Sequence, residues 1–233
     1  MNPLFSDAFR ILGETQNELN ELHNSGSLSA NSTILQNNNV LINIFKSICS
    51  APDMIEEYYK ESTEGNYDCS DHLKTLYNLA RECEHITELG THRGNSTIAF
   101  VRARPFILHT YDINEHPRAK QIEALALCMN IDMHYHIEST LEANIEETDL
   151  LFVDSLHVYD QVKNELLRHG NKARKYIVFH DTETWGKRGE FNNRGILDAI
   201  DEFMKENDHW ELKKHYSNNN GLTIYERKKE LIK

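Results

Sequence analysis

From Glu84 onward short apolar runs alternate with amphipathic stretches, and this alternation restricts the fold more than any other feature. The runs are His85–Leu89, Phe106–Tyr111, Ile131–Ile137, Asp149–Val153 and Tyr176–Phe179. Such near-continuous apolar runs suit strands buried on both faces. Between them lie segments with helical spacing, such as Val162, Leu166 and Leu167. Strand–helix units in series predict a doubly wound parallel sheet with helices on both faces. After a last helix, with Ile196, Leu197, Ile200, Phe203 and Met204 on one side, the pattern changes. His209–Tyr216 and Leu222–Arg227 flank Ser217-Asn218-Asn219-Asn220-Gly221, with no helix between them. That pattern is a hairpin. The expected α/β fold is therefore mostly parallel, closed by an antiparallel C-terminal hairpin strand.

Residues 1–81 differ in texture. Leu4, Phe5, Ala8 and Leu12 form one helical stripe, and Val40, Leu41, Ile44, Phe45 and Ile48 a second. A third runs Leu73, Leu76, Tyr77 and Ala80, with Ser70 and Asp71 as its expected caps. The Ser- and Asn-rich stretch His23–Asn39 reads as a polar connector. At 233 residues, the chain suits one α/β domain, 82–233, preceded by a helical extension, 1–81. With 25 Lys and Arg against 37 Asp and Glu, its formal charge is −12. Such a surface repels phosphate backbones and anionic lipids, so neither a nucleic-acid nor a membrane partner is expected. No apolar run approaches the ~20 residues that span a bilayer. Met1–Arg10 lacks the pattern of a secretion signal, and Cys49, Cys69, Cys83 and Cys128 form no CxxC. A cytoplasmic location is the expectation.

The chemistry-bearing residues fall at the ends of the strands. The first strand leads into Glu88-Leu89-Gly90-Thr91-His92-Arg93-Gly94-Asn95-Ser96. Gly90 and Gly94 permit a tight turn, and the helix that follows favours electron-rich groups at its start. The dinucleotide pattern GxGxxG is absent. The second strand ends in Asp112, spaced to accept hydrogen bonds from ribose hydroxyls. Asp154 ends the fourth strand, with His157 just beyond it, and His180-Asp181 ends the fifth. In a parallel sheet these tips share one edge, so Asp154 and Asp181 can converge although far apart in sequence. A lone strand-end Asp is ordinarily a helix cap; a converging pair suits a hard divalent cation. Beside two carboxylates, His157 is the candidate general base. Thr182–Arg194 reads as a mobile loop over this edge, with Trp185 as either a substrate platform or a tucked-in surface residue.

Glu88-x-Gly90-x-x-x-Gly94-x-Ser96, Asp112, Asp154-x-x-His157-x-Tyr159 and His180-Asp181, in that order, resemble the class I S-adenosylmethionine-dependent methyltransferases. The nearest resemblance is to the cephalosporin hydroxylase-like and macrocin O-methyltransferase-like small-molecule enzymes, over about Glu84–Arg227. It implies a Rossmann-like fold and methyl transfer to a hydroxyl of a small molecule or glycoside. It also implies that Glu88, Gly90, Thr91, Gly94 and Ser96 surround the methionine part of S-adenosyl-L-methionine and that Asp112 holds its ribose. Glu138 and Ser139 would lie near adenine, with Asp154 also against the cofactor. Asp154, His180 and Asp181 would hold Mg2+ or Mn2+, and His157 with Asp154 would carry the catalytic step. His180 stands where several relatives have an acid or amide, which suits magnesium less well than softer ions. Two other readings remain open at this stage: a non-catalytic nucleotide-binding module of the same fold, and a nicotinamide-dependent oxidoreductase. A homo-oligomer in which the N-terminal helices cover a neighbour's active edge is a further expectation.

Overall fold

The computed structural model describes residues 3–26 and 33–228, in two compact units that divide between Met54 and Ile55. The first unit is helical, with α1 (Pro3–Asn24) and the first part of α2 (Thr33–Glu64). These helices take up both ends of the expected connector His23–Asn39. Asn and Ser cost a helix well under about 1 kcal/mol each, so a helix anchored elsewhere extends through them. Of the second apolar stripe, Val40 and Leu41 are exposed. The side chains of Ile44, Phe45 and Ile48, and of Leu4, Phe5, Ala8 and Leu12, lie outside the described residues.

The second unit holds the sheet. Its elements are the end of α2, α3 (Leu73–Ala80), β1 (His85–Leu89), α4 (Asn95–Ala103), β2 (Ile107–Asp112), α5 (Pro117–Cys128), β3 (Asp132–Ile137), β4 (Thr148–Val153), α6 (Tyr159–His169), β5 (Ala173–His180), α7 (Ile196–Glu206), β6 (Trp210–Tyr216) and β7 (Leu222–Arg227). The strand order is β3-β2-β1-β4-β5-β7-β6; β1 to β5 are parallel, and β7 runs antiparallel to both β5 and β6. The Rossmann-like sheet and its C-terminal hairpin are thus as the pattern predicts.

Every residue of β1 and β4 is buried, as central strands covered on two faces require. On one face Leu89, Leu151, Val153 and Phe179 pack with Val162 and Leu166 of α6 and Ile200 and Phe203 of α7. On the other, Phe100 of α4 meets Phe152 edge-on at 5.6 Å. Leu167, placed by its spacing in the α6 stripe, is exposed instead. Between β3 and β4 the expected helix is missing. Residues 138–147 bury Ala143 and Ile145 at alternate positions and carry Glu138, Glu142, Glu146 and Glu147, so no helical stripe forms. Ser70 caps no helix: its hydroxyl donates to the carbonyls of Ser62 and Gly65 and accepts from the Tyr67 amide, tying α2 to a 3-10 turn, Ser70–His72. Among the described residues no helix is long and apolar enough to cross a membrane.

The chain winds outward from β1 through β2 to β3, then returns to the other side of β1 as β4. This reversal makes the β1/β4 boundary the switch point, where the strand tips part and a crevice opens.

Candidate active site

A cavity of about 710 Å³ occupies that crevice, a size that suits a nucleoside-containing ligand. Its floor is set by backbone pairing beyond the strand ends. The Gly90 amide donates to the Tyr111 carbonyl at 2.9 Å, and the Asp154 amide to the Leu89 carbonyl at 2.8 Å. Gly90 has φ of 97°, and a Cβ there would lie 1.9 Å from the Asp154 carbonyl oxygen. Only glycine lets these tips close together.

Beneath the glycine turn sits Glu88, fully buried, accepting hydrogen bonds from Ser96 Oγ and Thr97 Oγ1 at 2.5 Å each. Burial pushes its carboxyl up to about 8, against the pull of those two hydroxyls. Its side chain supports the turn from below rather than lining the cavity. Asp112 accepts from the His92 amide at 2.7 Å and the Asn114 amide at 2.9 Å, which draws the glycine turn and the β2 tip together. Arg118 reaches the Arg93 carbonyl, Asn95 Oδ1 and Ser62 Oγ, fastening the turn from outside.

The β4 and β5 tips present the second half. One ligand atom from each of Asp154, His180 and Asp181 lies within 4.8 Å of the others. His180 Nδ1 is 3.2 Å from Asp154 Oδ1, and its Nε2 faces the Asn219 carbonyl at 3.2 Å. His157 Nε2 stands 3.1 Å from both Asp154 Oδ1 and Asp181 Oδ2, and its Nδ1 is 2.7 Å from Glu190 Oε1. Burial alone would lower both imidazoles. Asp154, Asp181 and Glu190 overcome that for His157, and Asp154 and Asp181 for His180, so both rise to about 9. His157 therefore lies above an ordinary imidazole, because three carboxylates surround it. Burial would raise Asp154, but His180 and His157 hold it well below the usual carboxylate range. Asp181, chiefly through burial, is raised to about 6. Asp181 Oδ1 is buried and has no hydrogen-bond partner among the described residues. An orphaned carboxylate oxygen beside a second carboxylate and an imidazole is a donor set that fits a divalent cation.

Of the residues singled out from sequence, Gly90, Thr91, Ser96, Asp112, Ser139, Asp154, His157 and Asp181 line the cavity. Gly94, Glu138 and His180 do not: Gly94 caps α4 with φ of 75°, Glu138 lies beside His136, and His180 backs Asp154. Trp185 is also outside the cavity; its amide donates to the Asp181 carbonyl and its carbonyl accepts from Ile196. The Thr182–Arg194 segment is laced down by further backbone bonds, including Glu183 and Thr184 amides to Asn220 and the Glu190 amide to His157. Asp68, Thr140, Gln161 and Glu190 also line the cavity without having been singled out. Glu190 follows Gly189 in that segment, a weak local signal for a residue aimed inward. Nothing in the order of residues shows that it meets His157.

Residues 87–182 match a protein-family model described as a methyltransferase domain. No curated protein matches the chain. Among solved structures, the O-methyltransferase TomG from Streptomyces achromogenes, in complex with S-adenosylmethionine, is similar at a TM-score of 0.53 and 16% identity, over 77% of this chain and 90% of that one. An O-methyltransferase from Bacillus cereus, in complex with S-adenosylhomocysteine, gives a TM-score of 0.53 and 14% identity over 77% and 91%. The 1,6-didemethyltoxoflavin-N1-methyltransferase of Burkholderia thailandensis gives 0.51 and 12% over 76% and 88%. At these identities the structures speak to the fold, and their acceptor atoms include both oxygen and nitrogen. The domain match sets the nicotinamide reading aside. With its switch-point cavity, glycine turn and the β2-tip acid Asp112 in place, the chain matches a methyltransferase domain over residues 87–182 and has the fold of the solved methyltransferases it resembles.

Proposed function

We propose that this methyltransferase acts on a hydroxyl of a small molecule or glycoside with the help of a divalent cation. The observation that carries this reading is the junction, in one cavity, of a cofactor cradle with the cluster Asp154, His157, His180 and Asp181. In this reading residues 82–233 are the catalytic domain and 1–81 its helical extension. Free thiols at Cys69 and Cys83 support placing the protein in the cytosol.

When bound, the cofactor supplies a methyl group already activated on sulfonium, and the cation supplies a Lewis acid that lowers the pKa of the acceptor hydroxyl. The chain provides position and proton transfer. Asp112 accepts from the ribose hydroxyls, the backbone at Gly90 and Thr91 lies under the methionine portion, and Ser139 lies near the base. Asp154, His180 and Asp181 would hold the cation, and the imidazole among them would favour manganese over magnesium. Glu190 holds Nδ1–H of His157, which leaves Nε2 to take the hydroxyl proton. In the structure Nε2 faces two carboxylates, so a proton on it and a cation on those carboxylates compete for the same oxygen lone pairs. A cation held by those carboxylates would weaken their hold on the imidazole proton and leave His157 able to act as the base.

A crystal soaked with S-adenosylhomocysteine and Mn2+ tests the placement. An anomalous peak among Asp154, His180 and Asp181, with density for the nucleoside at Asp112, is the expected result. Nucleoside density without the peak would leave a metal-independent methyltransferase.

A further inference from the structure

A second group of nitrogen donors lies on a face of the sheet, away from the strand tips. The register sets His109 of β2 beside His134 of β3, and Tyr111 beside His136. Side chains alternate along a strand, so His134 and His136 share one face, and His109 shares it with them. The ring centres are 5.3 Å apart for His109 and His134, 5.2 Å for His109 and His136, and 6.0 Å for His134 and His136. Imidazoles gathered around one ion with metal–nitrogen bonds of ~2.0–2.1 Å have ring centres roughly 5–6 Å apart. We propose that His109, His134 and His136 form a binding site for a borderline transition-metal ion such as Zn2+, Ni2+ or Cu2+, separate from the cluster at the strand tips.

His136 carries most of the argument. Its Nε2 is buried without a hydrogen-bond partner among the described residues, while its Nδ1 faces Glu138 Oε1 at 3.7 Å. One nitrogen directed at a carboxylate and the other left open is how ligating histidines are oriented. The ring is stacked on Tyr111 with centres 4.5 Å apart, which fixes its plane. Burial and the neighbouring rings His136, His85 and His134 push His109 down to about 4, so its lone pair is free of protons at neutral pH. His134 Nε2 meets Asp132 Oδ1 at 3.0 Å on an exposed surface, a contact that yields readily. In the orientations seen, the three ligating nitrogens do not yet converge; Asp154, His180 and Asp181 alone do so among the described residues. Loading requires His134 to leave Asp132 and turn towards His109. Three imidazoles select borderline metals over Mg2+ or Ca2+. A bound ion would pin the edge strand β3 to β2.

The test is calorimetric titration of Zn2+ and Ni2+ into the tag-free full chain carrying Asp154→Asn and Asp181→Asn, which disables the other cluster. About one equivalent should bind, with a raised melting temperature. Adding His134→Gln and His136→Gln should weaken binding tenfold or more and remove the thermal shift. Cu2+ loaded into the same protein should show hyperfine coupling to several nitrogens. Equal binding with and without the two histidines, or no binding at all, overturns the proposal. If the Asp variants fail to fold by circular dichroism, the wild-type chain is compared with His134→Gln/His136→Gln. A loss of about one equivalent then supports the site, and unchanged stoichiometry overturns it.

Discussion

On the β1–β2 side of the cavity the acids are answered from within the protein: Glu88 by two hydroxyls, Asp112 by two backbone amides. On the β4–β5 side they are answered by titratable groups, and one oxygen of Asp181, buried without a hydrogen bond, has only the His180 imidazole 3.6 Å away. The first side is preorganised: its carboxyl groups fix loop geometry, and binding a ligand asks little of them. The second is unsettled, with protons distributed among His157, His180 and Asp181 according to what else is present. A methyltransferase needs both, because the cofactor must be held without change while the acceptor must lose a proton. The comparison is sharpened by substitutions that act on one side and spare the other.

The largest effect should come from Asp181→Asn. It removes a charge from the cation's donor set and from the surroundings of His157 together. Metal-stimulated turnover should fall below detection, while affinity for S-adenosylhomocysteine, measured by calorimetry, stays within a few-fold. A loss of both would show that the two sides are not separable.

Next is His157→Ala, expected to lower kcat by roughly 10²-fold or more with cofactor affinity unchanged. His157→Gln should not rescue it, since an amide can hydrogen-bond without accepting the proton. The deprotonated ring is the competent form, so the wild-type rate should rise with pH through the His157 pKa. That rise should move to lower pH as Mn2+ is added, because the cation draws on the carboxylates that hold the ring up near 9. A mild defect with an unmoved pH profile would assign the proton to another acceptor.

On the preorganised side, Asp112→Ala should weaken S-adenosylhomocysteine binding. Hydrogen bonds to a charged acceptor are worth ~1.5–3 kcal/mol each, which corresponds to roughly 10- to 150-fold. Some of that loss would come from the freed His92 and Asn114 amides. Asp112→Asn, which can keep one of those contacts, should fall between.

The two sides also differ in how far sequence exposes them. Gly90, Gly94 and Asp112 stand at fixed offsets along a strand, a turn and a second strand, so local order reveals them. Asp154 and Asp181 are legible because parallel strands bring their tips to one edge. Glu190 is not, because its contact with His157 depends on how a long connection folds back. The same limit hides the His109, His134 and His136 cluster, which emerges only when the register between β2 and β3 is known. Alternation from Glu84 onward predicts the sheet but overreaches at residues 138–147, where a largely exposed loop that buries Thr140, Ala143 and Ile145 stands in place of a helix.

The smallest effect on turnover is expected at Glu88, whose substitution acts on stability instead. A free glutamate ionises near 4.5, but burial holds Glu88 protonated in the folded chain up to about 8. Below pH 4.5 both states carry the proton and nothing is lost. Between about 4.5 and 8 the unfolded chain gives up its proton while the folded chain keeps it, so stability falls as pH rises, by at most roughly 1.4 kcal/mol per pH unit. Above 8 both are ionised and the loss is constant. Glu88→Gln stays neutral at every pH and can still accept from Ser96 or Thr97. Its urea midpoint should therefore decline less than the wild type's between pH 5 and pH 8. His157 and His180, also raised, add a slope of the same sign, but it is common to both proteins and cancels in the difference. Parallel midpoint curves for the two proteins would mean that Glu88 is ionised beneath the turn throughout, with the hydroxyls of Ser96 and Thr97 sufficient to hold its charge.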